Sequence, residues 1–129
     1  MVKPVIYVFI NKSLHMSSGK VGAQVGHAVA MSIIEGPKVS AKIWNEADHR
    51  YMIILEAKDD DHMTRIQQYL FERGLYTTEI FDEGSNEVEP VSLTAMATNI
   101  LIREDRIKEI FGIFKLYRDT VKVTVEVEK

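Results

Sequence analysis

Six consecutive residues near the start of the chain, Val5-Ile-Tyr-Val-Phe-Ile10, are all apolar and all β-branched or aromatic. Such a run offers no polar face to water. It reads as a strand buried on both sides, as in a parallel sheet. A strand of that kind needs helices above and below it. The following residues begin to supply them. Asn11 to Ser18 is polar and reads as a loop. Gly19 to Ile34 reads as a helix, because Val21, Val25, Ala28, Val29 and Ser32/Ile33 recur at spacings of three and four. Ser17 or Ser18 can cap it. Glu35-Gly36-Pro37 stops it, with a glycine at the end and a proline after it.

The same patterns continue along the chain. Val39 to Asp48 is a shorter helix carrying the only tryptophan, Trp44, and Tyr51 to Ala57 is a second strand. Asp59 to Arg73 is an amphipathic helix with Met63, Ile66, Tyr69 and Leu70 inward, capped by the Asp59-Asp-Asp61 run and closed by Gly74. Thr77 to Phe81 is a third strand, Asp82 to Pro90 an acidic loop, and Ser92 to Ala97 a fourth strand. Glu104 to Phe114 is a helix with Ile107, Ile110, Phe111 and Phe114 on one face. Lys122 to Val127 alternates Val with polar residues, as a half-exposed strand would. The expected fold is α/β: one domain over residues 1–129, with a mixed sheet of about four core strands plus a C-terminal strand, and helices on both faces. The short link between strands three and four leaves open whether they are antiparallel neighbours.

Composition narrows the chemistry. There is no cysteine among the 129 residues, which removes disulfides, thiolate metal sites and cysteine nucleophiles. The first apolar run is too short to span a membrane and has no small-residue cleavage site, so a soluble cytoplasmic protein without membrane contact is expected. The net charge is −3, yet residues 1–50 carry six basic and three acidic side chains. The N-terminal part therefore permits an anion-binding face without requiring one. The four histidines, His15, His27, His49 and His62, show no metal-ligand spacing. No dinucleotide, P-loop or GxSxG motif is present.

The turn from the first strand into the first helix is the main candidate site. In open α/β sheets ligands bind beyond the strand ends, and helix N-termini attract anions. Lys20 stands in the first helical turn, where a cation opposes the helix dipole. Its placement points to an anionic partner. Lys20, Gln24 and His27 fall on one polar stripe. Lys can hold a phosphate or an oxyanion, Gln can orient water, and His can move a proton. A solvated helix face would look the same. Gly22 and Gly26 on this helix are expected to allow close helix–sheet contact. Asp82, at the end of the third strand, is a second candidate, since carboxylates at strand ends are common in active sites; acidic glycine-containing loops are also ordinary turns.

The segment Leu14-His-Met-Ser-Ser-Gly-Lys-Val-Gly-Ala-Gln-Val-Gly-His-Ala28 resembles the opening of the peptidyl-tRNA hydrolase 2 family. Leu14, Met16, Gly19, Lys20, Ala23, Gln24, His27 and Ala28 fall on matching positions. Trp44, Tyr51-Met-Ile-Ile-Leu55, Arg73-Gly-Leu75, Ile80-Phe-Asp82-Glu-Gly84, Pro90, Thr94 and Lys115-Leu116 extend the likeness more loosely over residues 5 to 117, leaving 118–129 unmatched. The resemblance implies a small α/β domain, a homodimer, that hydrolyses the ester joining a peptide to the 3′ end of tRNA without a cofactor or metal. Its active residues carry over as Lys20, Asp82, Gln24 and His27. Lys20 would bind phosphate or stabilise the oxyanion, and Asp82 would orient or activate water. The cations that would grip RNA are Lys12, His15, Lys20, Lys38 and Lys42.

Some positions depart from the family. His15 replaces a lysine, Ser17-Ser18 replaces Gly-Lys, Asn86 replaces a threonine, Glu87 a glutamine, Val91 a glycine, and Thr98-Asn99 a Gly-Pro. Each lost lysine removes a phosphate contact. Two alternatives therefore stand beside the hydrolase: a non-catalytic relative that binds RNA or a protein, and a hydrolase of another ester or amide.

Overall fold

A computed structural model describes residues 2–82 and 91–118. The 122–127 strand and most of the acidic loop after Asp82 lie outside these residues. The first strand, β1 (Pro4–Asn11), is buried along its whole length. A 3₁₀ turn, Lys12–Leu14, leads into α1 (Ser18–Glu35) and then α2 (Lys38–Glu46). There follow β2 (Tyr51–Ala57), α3 (Asp60–Phe71), β3 (Thr77–Asp82), β4 (Ser92–Thr98), the short β5 (Leu101–Ile102) and α4 (Asp105–Phe111). Strand order is β2-β1-β4-β3, with β5 beside β1. β1 pairs parallel with β2 and antiparallel with β4, and β4 pairs antiparallel with β3. The sheet is mixed, with helices on both faces, as expected. The fully buried β1 has only one parallel neighbour, because β4 fills its other side in reverse.

Alternation along β1 divides the core in two. Val5, Tyr7 and Phe9 face Met63, Ile66 and Leu70 of α3 and Ile107, Ile110 and Phe111 of α4. Tyr7 lies flat on Phe111, ring centroids 3.8 Å apart. Ile6, Val8 and Ile10 face Val21 and Ala28 of α1, Trp44 of α2, and Ala95 and Ala97 of β4. The small side chains of Ala95 and Ala97 let α1 lie close to the sheet. Ser32 then donates from Oγ to the Thr98 carbonyl at 2.6 Å, which satisfies a buried hydroxyl.

Gly22 and Gly26 do not serve that contact. Both are exposed, and a Cβ at either would meet nothing within 4 Å. The close approach comes from the alanines of β4. Gly36 is needed for a different reason from helix reversal: its φ is −77°, but a Cβ there would sit 2.8 Å from the Ser32 carbonyl oxygen. Gly74 does carry the positive φ, +74°, that ends α3, and Leu75 N–H closes the turn onto the Leu70 carbonyl at 2.9 Å. Asp59 caps α3 by accepting from His62 N–H at 2.8 Å, with Asp60 and Asp61 in the first turn. The last carbonyls of α2 are satisfied by Arg50, whose guanidinium donates to Trp44 O and Asn45 O.

Candidate active site

The mixed topology brings four strand ends to one edge of the sheet. Asn11 ends β1 opposite Ala57, which ends β2. β4 runs the other way, so it begins at this edge, and Ser92 there pairs with Asp82 at the end of β3. Asn11 ties the edge together. Its buried Nδ2 donates to Asp60 Oδ1 at 2.6 Å and to the Leu93 carbonyl at 3.0 Å. Its Oδ1 accepts from Ser13 N–H at 3.1 Å and from Ser13 Oγ at 2.6 Å. All four hydrogen-bonding valences of the amide are used.

α1 starts above this edge. Ser17 is its N-cap, accepting from Lys20 N–H at 3.3 Å. That places Lys20 in the first turn, and its Nζ lies 2.5 Å from Asp82 Oδ2. The anion expected near Lys20 is therefore, in this state, a carboxylate of the same chain. The two side chains keep 47% and 28% of their exposure, so the pair is open to solvent. An ion pair this exposed contributes at most about 1 kcal/mol, and an incoming ligand can separate it cheaply.

Gln24 stands one turn further along the same face. It is half-buried, and its Oε1 is buried without a hydrogen-bond donor. An orphan acceptor of this kind costs about 1–3 kcal/mol unless a donor from outside fills it. His27 is exposed, roughly 10 Å from Lys20 along the helix axis. The structure thus brings Lys20 and Asp82 together, keeps Gln24 beside them, and sets His27 two turns away.

The RNA-contact candidates separate into two groups. Lys12 and His15 line a groove of about 840 Å³ at the same edge, over the ends of β1 and β2. Lys38 and Lys42 are exposed on α2, beyond the far end of α1, a helix about 27 Å long. They are not brought to this edge. The groove also contains cations that sequence reasoning missed: Lys58, His62, Arg65, Lys115 and Arg118. They lie in the part of the chain with excess negative charge and are spread over 61 positions, so no local pattern announces them. Among the described residues no His, Asp or Glu cluster is placed to hold a metal ion, and no helix is long and apolar enough to cross a membrane.

Comparison with known proteins shows the family. The family described as peptidyl-tRNA hydrolase PTH2 matches residues 4–117. A peptidyl-tRNA hydrolase of Thermoplasma acidophilum is 28% identical over 118 residues, covering 90% of this chain and 99% of that protein. One from Methanopyrus kandleri is 28% identical over 120 residues, covering 92% and 100%. The mitochondrial peptidyl-tRNA hydrolase 2 of Mus musculus is 27% identical over 110 residues, covering 84% of this chain and 60% of that protein. With nearly the whole described chain matched, this protein belongs to the peptidyl-tRNA hydrolase PTH2 family.

Proposed function

We propose that the protein hydrolyses the ester bond of peptidyl-tRNA, releasing peptide and free tRNA, with Lys20 and Asp82 at the reacting centre. The observation that carries this reading is the 2.5 Å contact between Lys20 Nζ and Asp82 Oδ2 at an open sheet edge. Substrate binding parts the pair. The Asp82 carboxylate then orients a water and takes its proton as the oxygen attacks the ester carbonyl. The Lys20 ammonium donates to the oxyanion that forms. Collapse breaks the bond to the ribose 3′ oxygen, which recovers the proton from Asp82. Gln24 is half-buried and its Oε1 has no partner, so the side chain is free to turn when substrate binds; its Oε1 then accepts from the attacking water and fixes its direction. His27, exposed two turns along α1, has a lesser part at the rim of the site.

The reaction needs no cofactor or metal in this scheme. The substrate places the protein in translation, and a cytoplasmic homodimer is the working state we infer. The test is release of peptide from several peptidyl-tRNAs by wild type, Lys20→Ala and Asp82→Ala, with thermal unfolding measured alongside. Turnover by wild type and its loss in both variants at unchanged stability support the reading. Binding of tRNA by wild type with no turnover would instead select the non-catalytic relative. Turnover of a simple ester but not of peptidyl-tRNA would select a different substrate.

A further inference from the structure

The groove over the ends of β1 and β2 carries five Lys and Arg side chains, Lys12, Lys58, Arg65, Lys115 and Arg118 among them, against one carboxylate, Glu56. Glu56 is engaged by Lys12 at 2.9 Å. The other four cations are exposed, and none forms an ion pair among the described residues. Like charges gathered this way repel one another, and a chain of net charge −3 has carboxylates to spare. Asp59, Asp60 and Asp61 stand nearby at the start of α3, yet none of them is in an ion pair with these cations, and that points to an anion supplied from outside.

The shape of the groove narrows the anion. Its lining includes the apolar side chains of Ile10, Met16 and Val21 and the aromatic ones of Phe114 and Tyr117. Tyr117 has the Lys12 ammonium 6.0 Å from its ring centroid. Cations beside aromatic side chains suit a chain of phosphates that carries bases, since a base can stack on a ring. A small inorganic anion would use only the cations. Position narrows it again. Three strand intervals of about 4.8 Å separate the ends of β3 and β2, about 14 Å in all. A single strand covers that in about four stacked nucleotides, at roughly 3.4 Å each.

We propose that this groove holds the single-stranded phosphodiester backbone that leads up to the ester, with Lys58, Arg65, Lys115 and Arg118 as its phosphate contacts. The proposal rests on the reading of the Lys20–Asp82 site given above. It assigns grip to β1 and β2 and chemistry to β3 and α1. It also returns to the protein the positive charge missing at His15 and Ser18.

The test uses the double variant Arg65→Gln/Lys115→Gln. Both side chains are exposed and make no hydrogen bond or ion pair among the described residues, so the fold does not depend on them. Three measurements are made on wild type and variant: kinetics on peptidyl-tRNA, kinetics on the same N-acyl-aminoacyl ester of adenosine lacking phosphates, and affinity for deacylated tRNA against salt. KM for peptidyl-tRNA should rise by about tenfold or more, with kcat within about twofold. The slope of log affinity against log salt should fall by about 1.4, for two single-strand phosphate contacts. Turnover of the adenosine ester should not change. Unchanged KM and salt slope, or equal loss on both esters, would overturn the proposal. So would binding of poly-glutamate as tight as that of tRNA and lost in the same variant, which would give the groove to an acidic polypeptide. If wild type turns over neither ester, the catalytic reading fails, and the tRNA affinity and its salt slope still decide the groove.

Discussion

The two halves of the same sheet edge are built on opposite electrostatic plans. Over β3 and β4, Lys20 and Asp82 neutralise each other at 2.5 Å. Over β1 and β2, four exposed cations form no ion pair among the described residues, and the one carboxylate lining their groove is already engaged by Lys12. A balanced pair is suited to moving a proton and holding a transient charge, because both ionic forms are already present and cheap to part. An unbalanced cluster is suited to holding a permanent polyanion. The difference separates the residues that should set kcat from those that should set KM.

The largest effect tests the balanced side. Lys20→Ala and Asp82→Ala should each lower kcat by about a hundred- to a thousandfold. Their unfolding free energy should stay within about 1 kcal/mol of wild type, as befits an exposed pair. A loss carried by KM instead would erase the distinction between the halves. Asn11→Ala comes next, because Asn11 joins the two. Removing its four hydrogen bonds should cost about 2–4 kcal/mol, read as a shift of the urea midpoint, and should impair kcat and KM together. Gln24→Leu should lower kcat by about tenfold with little change in KM, the value of one orienting hydrogen bond.

The smallest effect lies on the unbalanced side, at His62. Its Nδ1 accepts Lys58 N–H at 2.9 Å, and burial, with Arg65 nearby, holds its pKa below the ordinary 6.5. Lys58 lowers it further, while Asp59 and Glu56 pull it up. From 6.5 down to the lowered folded value, the unfolded chain binds more protons than the folded one. Stability therefore rises with pH across that window and is lost as the pH falls through it. His62→Gln should flatten this slope, seen in urea midpoints at about pH 5.5 and 7.5. Saturation with deacylated tRNA should raise the His62 pKa in an NMR titration. No movement would mean that the polyanion does not occupy this half.

Much of the architecture was legible because it is local. The β1 run, the periodic apolar residues of α1 and α3, the aspartate cap of α3 and the Gly74 turn each declare themselves within a few residues. The place of Lys20 in a first helical turn was legible as well, and there a cation calls for an anion, which Asp82 supplies. Long-range pairing was less so. Nothing near Ser92 says that β4 inserts between β1 and β3, and β5 is only two residues long. Ala95 and Ala97 gave no hint that they, rather than Gly22 and Gly26, set the distance to α1. The groove was invisible for the same reason. Its cations come from the turn after β1, the link after β2, α3 and the segment after α4, and only the folded sheet collects them.

The reversed strand between β1 and β3 has a consequence for how the protein is made. Synthesis delivers the chain from its N-terminus, and long-range strand pairing waits for the later partner. β1 leaves the ribosome well before its second neighbour, which begins only at Ser92. Asp82 has no strand to hold it until then. A growing chain is itself a peptide esterified to tRNA, the bond this protein is proposed to cut. The topology withholds the cutting edge until β4 has been made.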